Sequence, residues 1–381
     1  MTMQLHDLTK ELGTQGDFAS QALFKLAQTQ TLIQLQFSDV TSAQTAVLER
    51  RLRQFDASVT HKGTTVTTLL TYEATKQLSD NWLTWFPGEQ EADKQLTNVL
   101  ASYELGWQAN DFQFELREKP MIYAIMNITP DSFYDGGRYT TEEAVSAHIA
   151  EMVEAGADLI EVNGQTTRPG YTEVTPEVEI ERTIPYIKQI KQLYPDMAVG
   201  IDTYKLPVMK AAIDAGVDVI NDVNSFTDDP EKLPYLAQQR VGLLTMLNGR
   251  GNDFTNLSEE MHTFFEDNIK AITDAGVAFD RIALDQGIGY SKLPDSKQDF
   301  VMMRNVDQFN DLNRPMMVAV SRKGFYKQLL GLEKDDRLPM TLITETEMML
   351  KGGRIIRVHD VEETRQMITF LNEIEKGHWL A

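Results

Sequence analysis

Arg354-Ile-Ile-Arg-Val-His-Asp360 is an apolar run that ends in charge. Side chains alternate between faces along a strand, so Arg357 and His359, two residues apart, share one face. Two cationic or hydrogen-bond-donating groups side by side at a strand end suit an anion such as phosphate or pyrophosphate. The same design recurs upstream. Met121–Thr129 runs through Asn127, Ala157–Asn163 leads into Gly164, Ala198–Tyr204 carries Asp202, and Val217–Val223 carries Asn221 and Asp222. Val241–Leu247 runs into Asn248, Arg281–Gly287 carries Asp285, and Pro315–Lys323 ends in Ser321-Arg322-Lys323. With Arg354–Asp360 that makes eight strands.

Amphipathic stretches of helical length separate them, among them Thr141–Gly156, Pro176–Tyr194, Lys205–Gly216, Ser258–Gly276 and Asp295–Leu312. Ala155-Gly156, Ala215-Gly216 and Ala275-Gly276 carry a helix-stop glycine just before the next strand. Strands alternating with helices imply a parallel sheet, and eight such units match an α/β fold of the (β/α)8 TIM-barrel type. A doubly wound sheet usually has fewer units.

A barrel of this kind places its chemistry at the carboxy-terminal strand ends. A single Asp there is readily a helix cap or turn residue. Capping does not explain the convergence of Asn127, Asp202, Asn221, Asp285, Lys323, Arg357 and His359 on one face.

Composition narrows the function. A chain of 381 residues accommodates a barrel and a smaller domain. It contains no cysteine, which excludes disulfides, a thiol nucleophile and cysteine-ligated metals. No apolar run approaches the ~18 residues of a membrane span and no signal peptide is evident, so a cytoplasmic location is expected. The formal net charge of −21 argues against nucleic acid or anionic membrane as a partner. An anion site would therefore have to be locally basic, and Arg168, Lys323, Arg357 and His359 can supply that field. The six histidines show no paired ligand spacing for a transition metal. Mg²⁺, held by oxygen ligands and substrate phosphates, is the expected ion.

Seven blocks carry a family resemblance. Asn127-Ile-Thr-Pro-Asp-Ser-Phe-Tyr-Asp-Gly-Gly137 resembles the first signature of the dihydropteroate synthases, and Gly164-Gln-Thr-Thr-Arg-Pro-Gly170 their second. Ile201–Lys205, Ile220–Val223, Asp285–Gly289, Ser321–Lys323 and Arg357–Asp360 resemble the later blocks, in order, so that the resemblance covers about Pro120 to Gly377. It implies condensation of 6-hydroxymethyl-7,8-dihydropterin diphosphate with p-aminobenzoate, giving 7,8-dihydropteroate and pyrophosphate by a dissociative displacement. Asp202, Asn221, Asp285 and Lys323 would read the pterin. Arg357 and His359, with Thr167 and Arg168, would hold the diphosphate, and Asn127 would bind both it and Mg²⁺. Phe133, Thr167, Pro169 and Ser321 would line the aminobenzoate pocket. Asp135 would place negative charge near the pterin cation, so that Asp135, Lys323, Arg357 and His359 form the catalytic set. Barrels of this family are often dimers, so a homodimer fits the resemblance.

The chain departs from the family pattern at four places. Gln165-Thr166-Thr167 replaces Glu-Ser-Thr, Gln286 replaces a proline, Glu161 stands where an Asp is usual, and Met246–Gly249 replaces a His-Met-Arg-Gly type of segment. Two alternatives follow. One is a methylfolate-dependent corrinoid methyltransferase, whose pterin-binding domain shares the barrel but not the Ser-Arg-Lys and Arg-x-His sets. The other is a diverged pterin-binding paralogue with little activity.

Residues 1–118 precede the barrel at 119–381 and read as a small α+β extension without a catalytic constellation. Leu32–Val40 reads as a strand, Thr41–Phe55 as a helix, and His61–Thr71 as a strand or a hairpin around Lys62-Gly63. Thr75–Phe86 and Glu91–Gly106 read as helices. Trp82, Trp85 and Phe86 are expected in a core, and the first 20 residues are expected to be loosely ordered.

Overall fold

A computed structural model of the protein describes residues 2–128, 142–165, 172–292 and 295–380. It divides into two compact units, one of Met1–Glu104, Asp307–Asp311 and Thr369–Ala381, the other of Leu105–Val306 and Leu312–Ile368.

The first unit contains β1 (Gln4–Asp7), β2 (Leu32–Ser38), β3 (Ser58–Lys62) and β4 (Thr65–Thr71) in an antiparallel sheet of order β1-β2-β4-β3. In β2 every second side chain, Ile33, Leu35 and Phe37, is buried, as the alternation of LIQLQFS requires. These residues pack with Leu48 and Leu52 of the helix Ser42–Arg53 and Leu78 and Trp82 of the helix Tyr72–Trp85. Trp82 stacks on Phe37 with ring centroids 5.5 Å apart. Thr41 starts the helix Ser42–Arg53 with a reciprocal capping box to Gln44. The segment His61–Thr71 belongs to a hairpin, turning at Gly63. The expected looseness of the first 20 residues is corrected. β1 pairs with β2, Met3 and Leu5 lie in the core, and their amides donate to Glu89 Oε2 (2.9 Å) and Gln95 Oε1 (2.7 Å). A strand of four residues is too short to show a period, and the side chains of Glu89 and Gln95 that hold it lie 86 and 90 positions downstream of the amides they bind.

The second unit opens with the hairpin β5 (Gly106–Ala109) and β6 (Phe112–Glu115). A closed barrel follows: β7 (Met121–Asn127), β8 (Leu159–Asn163), β9 (Ala198–Asp202), β10 (Val219–Asp222), β11 (Gly242–Met246), β12 (Ile282–Asp285), β13 (Met316–Val318) and β14 (Gly353–Val358). Neighbours are parallel and β14 closes on β7, with Ile355 opposite Met121. Helices connect the strands, as expected of a (β/α)8 barrel. Three of those helices end on a glycine with positive φ, Gly156, Gly216 and Gly276. Seven of the eight strands end close to where the sequence puts them. β13 stops at Val318, and its register against β14 slips between Met316 and Met317, so Ser321–Lys323 lie in the following turn.

The hairpin plugs the amino-terminal end of the barrel. Trp107 is fully buried in one cluster with Met121, Leu159, Ala198, Val219, Ala283 and Ile355, and its indole N–H donates to Arg281 O at 3.0 Å. From this floor, steps of two along each strand climb from apolar to polar: Leu159 to Glu161, Ala198 to Asp202, Val219 to Asn221, Ala283 to Asp285, and Ile355 to Arg357. The apolar layers fill the interior, so the polar ends have one open side. Gly200 sits between Ala198 and Asp202 because a Cβ there would lie 2.7 Å from the Tyr123 hydroxyl of β7.

Candidate active site at the carboxy-terminal strand ends

Asp202 and Asn221 face each other in register on β9 and β10. The Asn221 amide donates to Glu161 Oε2 at 3.3 Å, and its carbonyl oxygen is buried without a partner among the described residues. The amide orientation is the one this hydrogen bond requires. Glu161 is wholly buried on β8 and receives two bonds from Arg357, from Nε at 2.9 Å and from Nη2. Arg357 Nη2 also lies 3.5 Å from Asp202 Oδ2. Thus one guanidinium stands between two carboxylates. Burial, together with the Glu161 charge, pushes the Asp202 carboxyl up to about 8. Burial opposes the Arg357 cation, but Glu161 and Asp202 outweigh it and hold the group above its ordinary value.

On the other side, Asp285 ends β12 and accepts from the Gly287 amide at 2.8 Å. Burial raises its pKa, against the pull of Lys323. Lys323 donates to Ile288 O, and burial pushes its ammonium down to about 8. His359 lies just past β14. Its Nδ1 is 3.0 Å from Ser321 Oγ, which also accepts from the His359 amide at 3.3 Å. The hydroxyl can therefore donate to Nδ1, which leaves the proton on Nε2. Burial first, then the Arg357 and Lys334 charges, lowers the His359 pKa to about 3, so the ring is neutral at pH 7.

The structure brings together Asp202, Asn221, Asp285, Lys323, Arg357, Ser321 and His359. Ser321 stands with His359. Asn127 ends β7, where its Oδ1 accepts from Asn163 Nδ2 at 3.3 Å. Phe133, Asp135, Thr167, Arg168 and Pro169 lie outside the described residues. Glu161 was noted only as a departure, yet it anchors the network. Its signal was legible: a carboxylate inside the apolar run Leu-Ile-Glu-Val needs a buried cation. Arg322 of the Ser-Arg-Lys block turns away from this site and pairs with Asp360 through bonds of 2.7 and 2.8 Å.

Gln165 also has a structural account. Lys205 Nζ donates to Gln165 Oε1 (2.7 Å), Val174 O (2.6 Å) and Glu179 Oε2 (2.8 Å). Gln165 Nε2 donates to the Tyr204 hydroxyl at 3.2 Å. With an amide at position 165, the buried Lys205–Glu179 pair is neutral. Among the described residues, no cluster of three or more His, Asp or Glu is arranged to hold a metal, and no helix is long and apolar enough to cross a membrane.

Known proteins resemble this chain in sequence and in fold. The family model described as "Pterin binding enzyme" matches residues 123–359. A dihydropteroate synthase of Clostridium beijerinckii is 37% identical over 252 residues, which is 66% of this chain and 93% of the relative. That of Bacillus subtilis is 34% identical over 263 residues, 68% of this chain and 91% of the relative. Among solved structures, the Xanthomonas albilineans dihydropteroate synthase with 4-aminobenzoic acid superposes with a TM-score of 0.65 at 30% identity, covering 71% of this chain and 98% of that one. The Burkholderia cenocepacia dihydropteroate synthase complexed with 7,8-dihydropteroate gives a TM-score of 0.62 at 26% identity, covering 71% and 96%. The chain therefore belongs to the pterin-binding enzyme family and, within it, to the dihydropteroate synthases, transferases of folate biosynthesis.

Proposed function

We propose that the polar strand ends of the barrel bind 6-hydroxymethyl-7,8-dihydropterin diphosphate and p-aminobenzoate and join them, releasing pyrophosphate. The observation that carries this assignment of residues is the half-satisfied array around Glu161 and Arg357. A buried acceptor without a partner costs about 1–3 kcal/mol, which a ligand N–H would recover. Asn221 Oδ1 is such an acceptor. Beside it, Asp202 and Asp285 are carboxylates whose burial disfavours charge until a donor arrives. The pterin edge is an array of amide and amidine N–H groups, which supplies those donors. Lys323 completes the pterin set.

Arg357 keeps Nη1 for the diphosphate while Glu161 holds the other side of its guanidinium, and His359 offers a neutral Nε2–H. Asn127, Thr167 and Arg168 belong to the same anion half. The bond from the exocyclic methylene to the diphosphate oxygen breaks with its electron pair leaving on pyrophosphate. The aminobenzoate nitrogen then bonds to the cationic carbon and loses a proton. Donors aimed at the leaving anion and the Asp135 charge near the cation favour that step. Phe133, Thr167, Pro169 and Ser321 are assigned to the aminobenzoate pocket.

Magnesium fits the Asn127 end. Asn127 and Asn163 stand in register, and Asn163 Oδ1 is a buried oxygen without a partner among the described residues. Neutral oxygens at a phosphate site suit an ion that takes few protein ligands and completes its shell with phosphate and water. Asn127 would hold it, and bound Mg²⁺ would neutralise the departing pyrophosphate. A cytoplasmic location, a homodimer, and a division at about residue 118 between extension and catalytic barrel belong to the same proposal. Light scattering tests the dimer.

The deciding assay is pyrophosphate release from the pterin diphosphate with Mg²⁺, with and without p-aminobenzoate. Amine-dependent release with formation of dihydropteroate is expected. Tight diphosphate binding without amine-dependent release would sink the residue assignment in favour of a diverged paralogue.

A further inference from the structure

We propose that Arg322, through its buried pair with Asp360, is a positioning residue for the reaction: it holds Ser321 and His359 in the geometry that presents the His359 Nε2–H to the diphosphate. The inference rests on the proposed function above. It gives a task to the member of the Ser-Arg-Lys block that turns away from the site.

The sheet does not set this geometry. β13 pairs with β14 as far as Val318 opposite Ile356, after a slip in register at Met316 and Met317. Ser321 and His359 each lie three residues past that last pair. There a side chain bridges the two segments. Ser321 Oγ accepts from the His359 amide at 3.3 Å and lies 3.0 Å from His359 Nδ1. One hydroxyl acts as acceptor and donor at once, so a small shift of either segment loses the bond that fixes the His359 tautomer.

The next residue on each segment supplies the missing constraint. Arg322 Nε and Nη2 donate to the two oxygens of Asp360 at 2.8 and 2.7 Å. A guanidinium fork on a carboxylate fixes an angle as well as a distance. Arg322 follows Ser321 and Asp360 follows His359, so the fork sets the relation of the pair beside it. Arg322 is itself anchored. Its Nη1 donates to Lys334 O at 3.0 Å and Asp335 O at 3.1 Å, its amide donates to Thr341 Oγ1 at 3.0 Å, and its carbonyl accepts from Arg337 at 2.9 Å. These bonds hold Arg322 at a φ of 50°, a left-handed conformation that a residue with a Cβ keeps where its surroundings impose it. The turn sends its neighbours to different partners, Ser321 to His359 and Lys323 to Ile288 O. Stability alone gives no reason for the pair, because buried ions are often replaced by apolar residues of similar volume without loss. Orientation is what the fork adds.

The test uses the full-length protein, its Arg322→Lys variant, which keeps the charge and loses the fork, and the double variant Arg322→Met with Asp360→Leu, which replaces the ion pair by apolar side chains. Amine-dependent pyrophosphate release, the unfolding temperature, affinity for 6-hydroxymethylpterin lacking the diphosphate, and the ¹⁵N signals of the His359 ring are measured for each. Arg322→Lys should lower kcat about a hundredfold, the scale of a misplaced reacting group, and move the His359 ring from one tautomer to a mixture. The double variant should unfold at about the parent temperature and still show the low kcat. Pterin affinity should be unchanged in both, since Asp202, Asn221 and Asp285 are not held by the fork. A parent that releases no pyrophosphate would defeat the proposed function and this inference together. With an active parent, an unchanged kcat in Arg322→Lys, or recovery of both stability and kcat in the double variant, would make the pair structural and overturn the inference alone. Equal loss of pterin affinity and kcat would do the same. Should the double variant stay unstable, the ring signals of Arg322→Lys decide: an unmoved His359 tautomer overturns the inference.

Discussion

The barrel interior displaces the protonation of Asp202 and Lys323 into the working range. Burial raises the one and lowers the other to about 8. Asp202 accepts an N–H best as the carboxylate, so pterin recognition should strengthen as pH rises toward 8. Lys323 donates best as the ammonium, so recognition should fall again above 8. The two titrate as interacting sites, and the profile belongs to the set. The expected result is a bell in kcat/KM for the pterin substrate centred near pH 8, with Asp202→Asn losing its acidic limb. Asp202→Asn should also weaken pterin binding by roughly 2–5 kcal/mol, the cost of leaving a buried charged pairing incomplete. An unchanged acidic limb in that variant would assign the ascending titration to another group.

At the scale of elements, the strands fit together through residues chosen for absence as much as for presence. Gly200 leaves room for the Tyr123 hydroxyl across β8. Gly200→Ala should lower stability by about 1–3 kcal/mol through overpacking. Combining it with Tyr123→Phe, which removes the colliding oxygen, should recover part of that loss in a double-mutant cycle. Simple additivity would show that the clash is relieved elsewhere.

A second element-level test concerns Glu345, on the helix Leu338–Leu350. Its carboxyl is buried and, among the described residues, is bonded only by Thr364 Oγ1, at 3.3 Å; burial raises its pKa to about 8. A group raised in the folded state contributes stability below its unfolded value, near 4.5, and loses it as pH rises through about 8. Glu345→Gln keeps the group neutral throughout. Its advantage in unfolding free energy should therefore grow from pH 5 to pH 8, by roughly 3 kcal/mol at one pKa unit per 1.36 kcal/mol, then level off. A constant gap between the two proteins would mean that Glu345 does not carry a raised pKa.

The whole molecule separates support from chemistry along the barrel axis. Trp107 seals the floor and the polar strand ends form the opposite face. Trp107→Ala should cost about 3–5 kcal/mol of stability by opening a cavity. Well below the unfolding transition, kcat should stay within about threefold of the parent, since the reacting groups lie at the far strand ends. A loss of several hundredfold in kcat would mean that the floor sets the geometry of the site.

The barrel was legible because a buried parallel strand must be a continuous apolar run and a helix must stop before the next one begins. Those constraints act within about ten residues, and the chain meets them at each strand. The polar ends were legible for the same reason: Asp202, Asn221, Asp285 and Arg357 each interrupt an apolar run where it leaves the core. Three things were not legible. The four-residue β1 is too short for a period, the turn-borne Ser321–Lys323 looked like strand, and the hairpin at Trp107 joins a cluster drawn from all eight barrel strands.

The sequence alone determined the eightfold strand–helix order, the set of polar strand ends and the family they resemble, because local periodicity and short motifs are written in consecutive residues. Only the tertiary structure decided which charges meet. The Glu161–Arg357 pair spans 196 positions, and the Arg322–Asp360 and Ser321–His359 pairs span 38. Closing the barrel sets those distances, and the resulting burial moves the titrations of Asp202, Lys323 and His359.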